Sequence, residues 1–233
     1  MKRIAIMQPT YLPWLGYFAL MESVDIFVFL DSVQFSKRSW QQRNMIKTHS
    51  GPIWLTIPVM TKGKRDQLIR GVNIDYSRKF PKNHIDILVQ SYQKSPFFNE
   101  YADEIIKIME QKKTSLSSLT IDLILLFRNL LNINTPISYS TELSPNGVKD
   151  EMLASLCYQL DANEYISPIG AKEYLDDSKF FRELNIGIKY FEYNHPKYNQ
   201  INGEFAPYMS IVDLLFNAGK DSLSILRQGL KSE

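Results

Sequence analysis

The chain of 233 residues, 44% hydrophobic and 22% charged, is long enough to bury a substantial core without metals or disulfides, as a globular protein does. Its one cysteine, Cys157, excludes a disulfide framework; set among apolar residues in MLASLCYQL, it reads as a buried thiol of a reducing cytoplasm. The net charge of +2 says nothing of partners by itself. Its distribution does: from Ser32 to Arg65 there is no Asp or Glu, while Lys37, Arg38, Arg43, Lys47, Lys62, Lys64 and Arg65 are all cationic, a local field suited to phosphate or carboxylate.

The amino-terminal MKRIAIMQP has only about four apolar residues before Gln8 and Pro9, too few for a secretory core, so RIAIM is expected as the first strand. LGYFALMES then has helical spacing and DIFVFLD is a second continuous apolar run. Strand, short helix, strand is the βαβ unit of a parallel sheet with both faces covered. PIWLTIPV is a further strand candidate, and IRGVNID a short exposed one.

Helical periodicity takes over from about residue 81 to 133, with Ser115 or Ser117 as a cap. Its longest apolar stretch, SLTIDLILLFRNLLNI, is broken by Asp122 and Arg128 and falls short of the roughly 20 residues that cross a bilayer, so no membrane span is expected. After it, KDEMLASLCYQLDA is helical, YISPIGAKEYL passes from strand through a glycine turn into helix, and GIKYFEYNHPKY is a strand with alternating aromatics. The last helix stops at Gly219. The expected architecture is a single α/β domain over 1–233, with a Rossmann-like parallel-sheet N-terminal part, a helical middle and a mixed α/β C-terminal part.

The chemistry-bearing residues gather at strand exits. QPTYLPWLGYF joins the first strand to the first helix, where backbone N–H groups and the positive helix end can hold phosphate. Gln8, Tyr11, Trp14, Gly16 and Tyr17 then offer an amide, stacking faces and close backbone approach; close packing of the corner is the competing reading. The corner also has the layout of nucleotidyltransferases that carry HxGH there, but WLGY keeps only the glycine.

The second strand delivers Asp31, followed by Gln34, Lys37, Arg38, Arg43, Asn44 and Lys47 interleaved with Phe35 and Trp40, a mixture suited to phosphate and a stacked ring. His195, before a proline, is a candidate general base. Asp213 among apolar neighbours needs a partner if buried. Gly170 opens a second candidate anion site at a helix start. His49, His84 and His195 are too scattered for a metal motif, so no metal ligands are expected. No G-x-S-x-G, P-loop or H-E-x-x-H pattern occurs.

Together, IAIMQPTYLPWLGYF, DIFVFLDSVQFSKRSWQQRNMIK, WLTIPV, SYQKSPFF, YISPIGAKEYL and HPKYNQINGEFAPYMSIVDLLFNAG resemble the WbqC-like protein family over nearly the whole chain. The resemblance implies a bacterial cytoplasmic enzyme of O-antigen or other surface-polysaccharide biosynthesis. It implies transfer of a glycyl or similar small acyl group to the amine of a nucleotide-linked amino sugar. The acyl donor would be an adenylate made from ATP with Mg²⁺, another activated carrier, or a charged tRNA. The resemblance brings no agreed catalytic set; the residues themselves offer Asp31, Asp213 and His195 as catalytic candidates and add Tyr198 to the substrate-binding set. A nucleotidyltransferase-like enzyme on another small substrate, or a nucleotide-sugar binding protein without catalysis, is the alternative.

Overall fold

A computed structural model describes residues 1–231. Its strands are β1 (Arg3–Met7), β2 (Ile26–Phe29), β3 (Arg43–Thr48), β4 (Gly51–Thr56), β5 (Ile137–Tyr139), β6 (Glu164–Pro168) and β7 (Gly187–Phe191). All but β3 and β4 form one parallel sheet in the order β5-β2-β1-β6-β7. That is the order of a doubly wound, Rossmann-type sheet, which grows outward from β1 in one direction and then reverses.

The connections explain which face each helix covers. Helix α1 (Leu15–Glu22) joins β1 to β2; α2 (Lys82–Tyr92), α3 (Phe98–Glu110) and α4 (Leu116–Leu130) precede β5. After the reversal, α5 (Ser140–Leu143) and α6 (Lys149–Gln159) lead to β6, and α7 (Lys172–Leu175) and α8 (Lys179–Glu183) lead to β7. Helices α9 (Ile211–Ala218) and α10 (Ser222–Gln228) close the chain. Because parallel strands are joined by right-handed crossovers as a rule, the reversal at β1 places helices on opposite faces.

Side chains alternate along each strand, so the sheet feeds two cores. Ala5, Phe27 and Phe29 pack with Phe18 of α1, Phe127 of α4 and Leu215 of α9. Ile4, Ile6 and Val28 pack on the other face with Leu153 and Leu156 of α6 and Phe181 of α8. Each such fully buried aliphatic or aromatic side chain contributes about 1.5–3 kcal/mol. Helix α1 has no exposed stripe: Leu15 through Met21 are all buried.

Local signals match the chain. The Ser115 hydroxyl accepts a hydrogen bond from Ser118 N and caps α4. Gly219 ends α9 at φ +55°, a conformation in which a side chain is strained. The cysteine of α6 is buried and free, and burial pushes its thiol pKa up.

One expectation fails. IRGVNID forms a 3₁₀ turn at Ile69–Gly71 and single bridges at Asn73 and Ile74, because its partners Val59 and Ser115 belong to loops, not strands. The strand expected in PIWLTIPV forms over Gly51–Thr56, outside the main sheet and paired antiparallel with β3. Strand β3 itself falls within the basic segment; its apolar faces, Met45 and Ile46, are diluted by Arg43, Asn44 and Lys47. No helix of the described residues is long and apolar enough to cross a membrane.

Candidate functional site

The reversal of strand order leaves a crevice at the carboxyl ends of β1 and β6, the place where ligands of open α/β sheets bind. A cleft of about 420 Å³ lies there. Gln8 and Thr10 from the exit of β1, Pro168 and Ala171 from the exit of β6, and Lys149 at the start of α6 line it. Trp40 and Tyr174, each about half exposed, supply ring faces at its rim.

The polar wall is held in place from behind. Gln41 Nε2 donates to Gln8 Oε1 at 2.7 Å, and Gln41 Oε1 accepts from Ser36 N at 2.9 Å. Both amides are thereby oriented, and the turn 36–42 becomes a fixed partition. Trp40 leans on Trp54 of β4 with ring centres 5.2 Å apart, and Arg43 lies 4.3 Å from the Trp54 ring centre. Arg43 therefore stacks on an indole outside the cleft.

On the far side of that partition is a second cavity of about 510 Å³, lined by Lys37, Arg38, Arg78, Asn83 and His84 among others. His84 forms its neutral floor. Burial holds the imidazole pKa at about 4, and Nδ1 lies 2.9 Å from the buried Tyr11 hydroxyl. Lys37 and Arg38 of the predicted phosphate-binding set thus come together, away from Gln8.

The corner is closed from Tyr11 to Tyr17, which leaves no phosphate cradle there, and of residues 8–17 only Gln8 and Thr10 reach the cleft. A Cβ added to Gly16 would fall inside the Trp14 indole, so the glycine makes room for a tryptophan. Trp14 in turn sits 5.6 Å from Tyr193, 5.5 Å from Tyr208 and 6.2 Å from His195, centre to centre. The backbone here bridges Ser210, with Ile211 N donating to Pro13 O at 2.7 Å. Leu12 takes φ +45°, a costly conformation held by Asn44 Nδ2 donating to its carbonyl at 2.7 Å. Tyr17 is buried and donates to Gln8 O. Tyr11, Trp14, Gly16, Tyr17 and Asn44 accordingly build the corner.

The three catalytic candidates are dispersed, and none lines the cleft. His195 packs in the aromatic cluster with Nδ1 2.9 Å from Pro196 O, and burial lowers its pKa. Asp213 is fully buried. Its carboxylate accepts from Tyr92 (2.9 Å), Tyr198 (2.7 Å) and Gln200 (2.7 Å). Burial still raises its pKa, against the opposing pull of those donors. Lys47 belongs to the same network: its N donates to Tyr92 Oη and its Nζ to the carbonyls of Gly203 and Glu204. Asp213, Tyr198 and Lys47 are therefore spent on joining α9, α2, β3 and the 198–206 loop.

Asp31 turns toward α4, where Ser117 donates to Oδ2 at 2.9 Å. Gln34 donates to Asp66 at the surface. Gly170 has open space around it, and the helix after it, α7, is one turn long, too short to gather a useful dipole. Lys149, Gln41 and Arg78 carry no signal in the sequence, since nothing local distinguishes a polar side chain at a cavity from a solvated one. Among the described residues no group of three His, Cys, Asp or Glu could hold a metal.

The uncharacterized protein Rv1507c of Mycobacterium tuberculosis (strain ATCC 25618 / H37Rv) is 40% identical over 229 residues, covering 97% of this chain and 98% of that relative. No solved structure matches. Residues 8–225, which include the corner, the partition, the basic cavity, the cleft apart from Ile6 and Met7, and the buried carboxylate network, match the WbqC-like family, and the chain belongs to the WbqC-like protein family.

Proposed function

We propose that the protein is a transferase of surface-polysaccharide biosynthesis that binds a nucleotide-linked amino sugar in the switch-point cleft and places a glycyl or similar small acyl group on its amine. The observation that carries this reading is the cleft itself: about 420 Å³, the size of small-ligand sites, with ring faces from Trp40 and Tyr174, amides from Gln8 and Gln41, and the Lys149 ammonium. Rings of this kind stack on a base or sugar, and a lysine at a helix start suits a diphosphate.

In the transfer, the amine nitrogen attacks the acyl carbonyl, a C–N bond forms and the C–O bond to the activated leaving group breaks. The leaving group takes the electron pair and the amine loses one proton. With an acyl-adenylate or charged-RNA donor the leaving group is already good, so alignment of the reactants supplies most of the acceleration and water can take the proton. Among the described residues no carboxylate or imidazole lines the cleft, which fits that route. The same feature favours a second reading, a nucleotide-sugar binding protein without catalysis.

Incubation with a UDP- or dTDP-amino sugar, glycine, ATP and Mg²⁺, and separately with glycyl-tRNA, tests both readings. A new amide on the sugar by mass spectrometry, lost in Trp40→Ala, is the expected result. Tight nucleotide-sugar binding with no amide from either donor leaves the binding-protein reading, and no binding refutes both.

A further inference from the structure

The cavity on the other side of the partition has a different chemistry from the cleft. Its lip carries Lys37 and Arg38 from the turn 36–42 and Arg78 from the 3₁₀ turn at Tyr76–Arg78. Its wall carries the Gln42 and Asn83 amides and the Thr56 and Thr61 hydroxyls, with Phe80 and His84 below. Among the described residues no Asp or Glu lines it. Arg78 meets Asp75 at the surface at 3.4 Å, while Lys37 and Arg38 are exposed and have no acidic partner among the described residues. An adjoining cavity, sharing Lys37 and Thr61, adds Lys62, Lys64 and Arg65 against Asp66 alone.

The scaffold around these cations is rigid. Gln42 Oε1 accepts from Arg38 N at 3.2 Å, Gln42 Nε2 donates to Ile57 O at 3.1 Å, and Ile57 N donates to Gln42 O at 2.8 Å. Arg38 itself takes φ +58°, a conformation that non-glycine residues reach at a cost, and it directs the side chain of a cation to the cavity. The floor imidazole is neutral at pH 7, because burial holds its pKa at about 4, so the cationic field comes from the lip. A concave wall that offers the Asn83 amide and the Thr56 and Thr61 hydroxyls under several cations is complementary to a compact group of high negative charge. Buried Phe80 is the one Phe, Tyr or Trp ring among the residues lining it, so the wall gives a base little to stack on.

The geometry points to a second ligand site in this cavity, one that takes a di- or triphosphate group, separate from the switch-point cleft. It does not depend on the nucleotide-sugar reading. A phosphate chain bound here lies behind the partition whose front, Ser39 to Gln41, faces the cleft, so the turn 36–42 touches both ligands.

Isothermal titration with inorganic tripolyphosphate, ATP and AMP distinguishes the sources. Binding of tripolyphosphate and ATP alike, with AMP at least about tenfold weaker, is expected if the phosphate chain is the recognised element. ATP binding without tripolyphosphate binding would assign the energy to the nucleoside and overturn the proposal. The double variant Lys37→Ala with Arg38→Gly, glycine being chosen for the positive φ, should weaken tripolyphosphate by roughly a hundredfold, about tenfold for each charge-assisted hydrogen bond removed. Affinity within about twofold of wild type in that variant, at an unchanged unfolding temperature, refutes the site. Nucleotide-sugar titrations on the same variant separate the two readings: loss of tripolyphosphate with retained nucleotide sugar supports two sites, and loss of both overturns their independence.

Discussion

Substituting Gly16 by alanine measures how tightly the corner is packed. The three ring carbons of Trp14 nearest the new Cβ all lie within 2.8 Å of it, where carbon pairs ordinarily stay roughly 3.5 Å apart. The indole must therefore retreat by on the order of 1 Å, into Tyr193, His195 and Tyr208, which already pack against it. Overpacking of this kind costs about 1–3 kcal/mol, and the helical preference of alanine returns up to ~1 kcal/mol, for a net loss of about 1–2 kcal/mol. Removing the indole removes the clash. In a Trp14→Ala background, which itself costs about 3–5 kcal/mol, Gly16→Ala should turn neutral or stabilising. Urea unfolding followed by far-UV circular dichroism on the four proteins of the cycle gives the coupling, expected at about 2 kcal/mol. An equal cost in both backgrounds would refute the packing account. Unchanged stability with lost ligand binding would return the glycine to a binding role.

Asp213→Asn replaces one acceptor oxygen by an amide nitrogen that cannot accept, strands one of the Tyr92, Tyr198 and Gln200 donors, and should cost about 2–3 kcal/mol in denaturant unfolding. His84 gives a pH dependence of known sign. Its folded pKa, about 4, lies below the ordinary histidine value near 6.5, so its contribution is complete above pH 6.5 and is lost as pH falls toward 4. From about pH 6.5 to about pH 5 the wild type should lose about 2 kcal/mol more than His84→Gln, and parallel curves would contradict the buried neutral imidazole. Cys157, buried with its thiol pKa pushed up, should react with a thiol reagent at the rate of unfolding. Labelling of the native protein as fast as of a free thiol would show that α6 does not cover it.

The βαβ start, the helical middle, the Ser115 cap and the Gly219 stop were written in local pattern, because apolar runs, 3.6-residue spacing and special φ values are properties of neighbouring residues. The family was equally legible, since its residues run in order along nearly the whole chain. Which polar residues are spent and which stay available was decided only by the tertiary structure. Gln8 and Asn44 are both amides in the sequence, yet one lines the cleft while the other holds the carbonyl of Leu12. Lys37 and Lys47 belong to one basic segment, but β3 carries Lys47 inward onto the carbonyls of the 203–204 loop and leaves Lys37 in solvent. A side chain's availability depends on partners many residues away, 121 in the case of Tyr92 and Asp213. Periodicity reports which face of an element is buried, and only the packing of that face against distant segments determines whether a charge there is a ligand's partner or the protein's own.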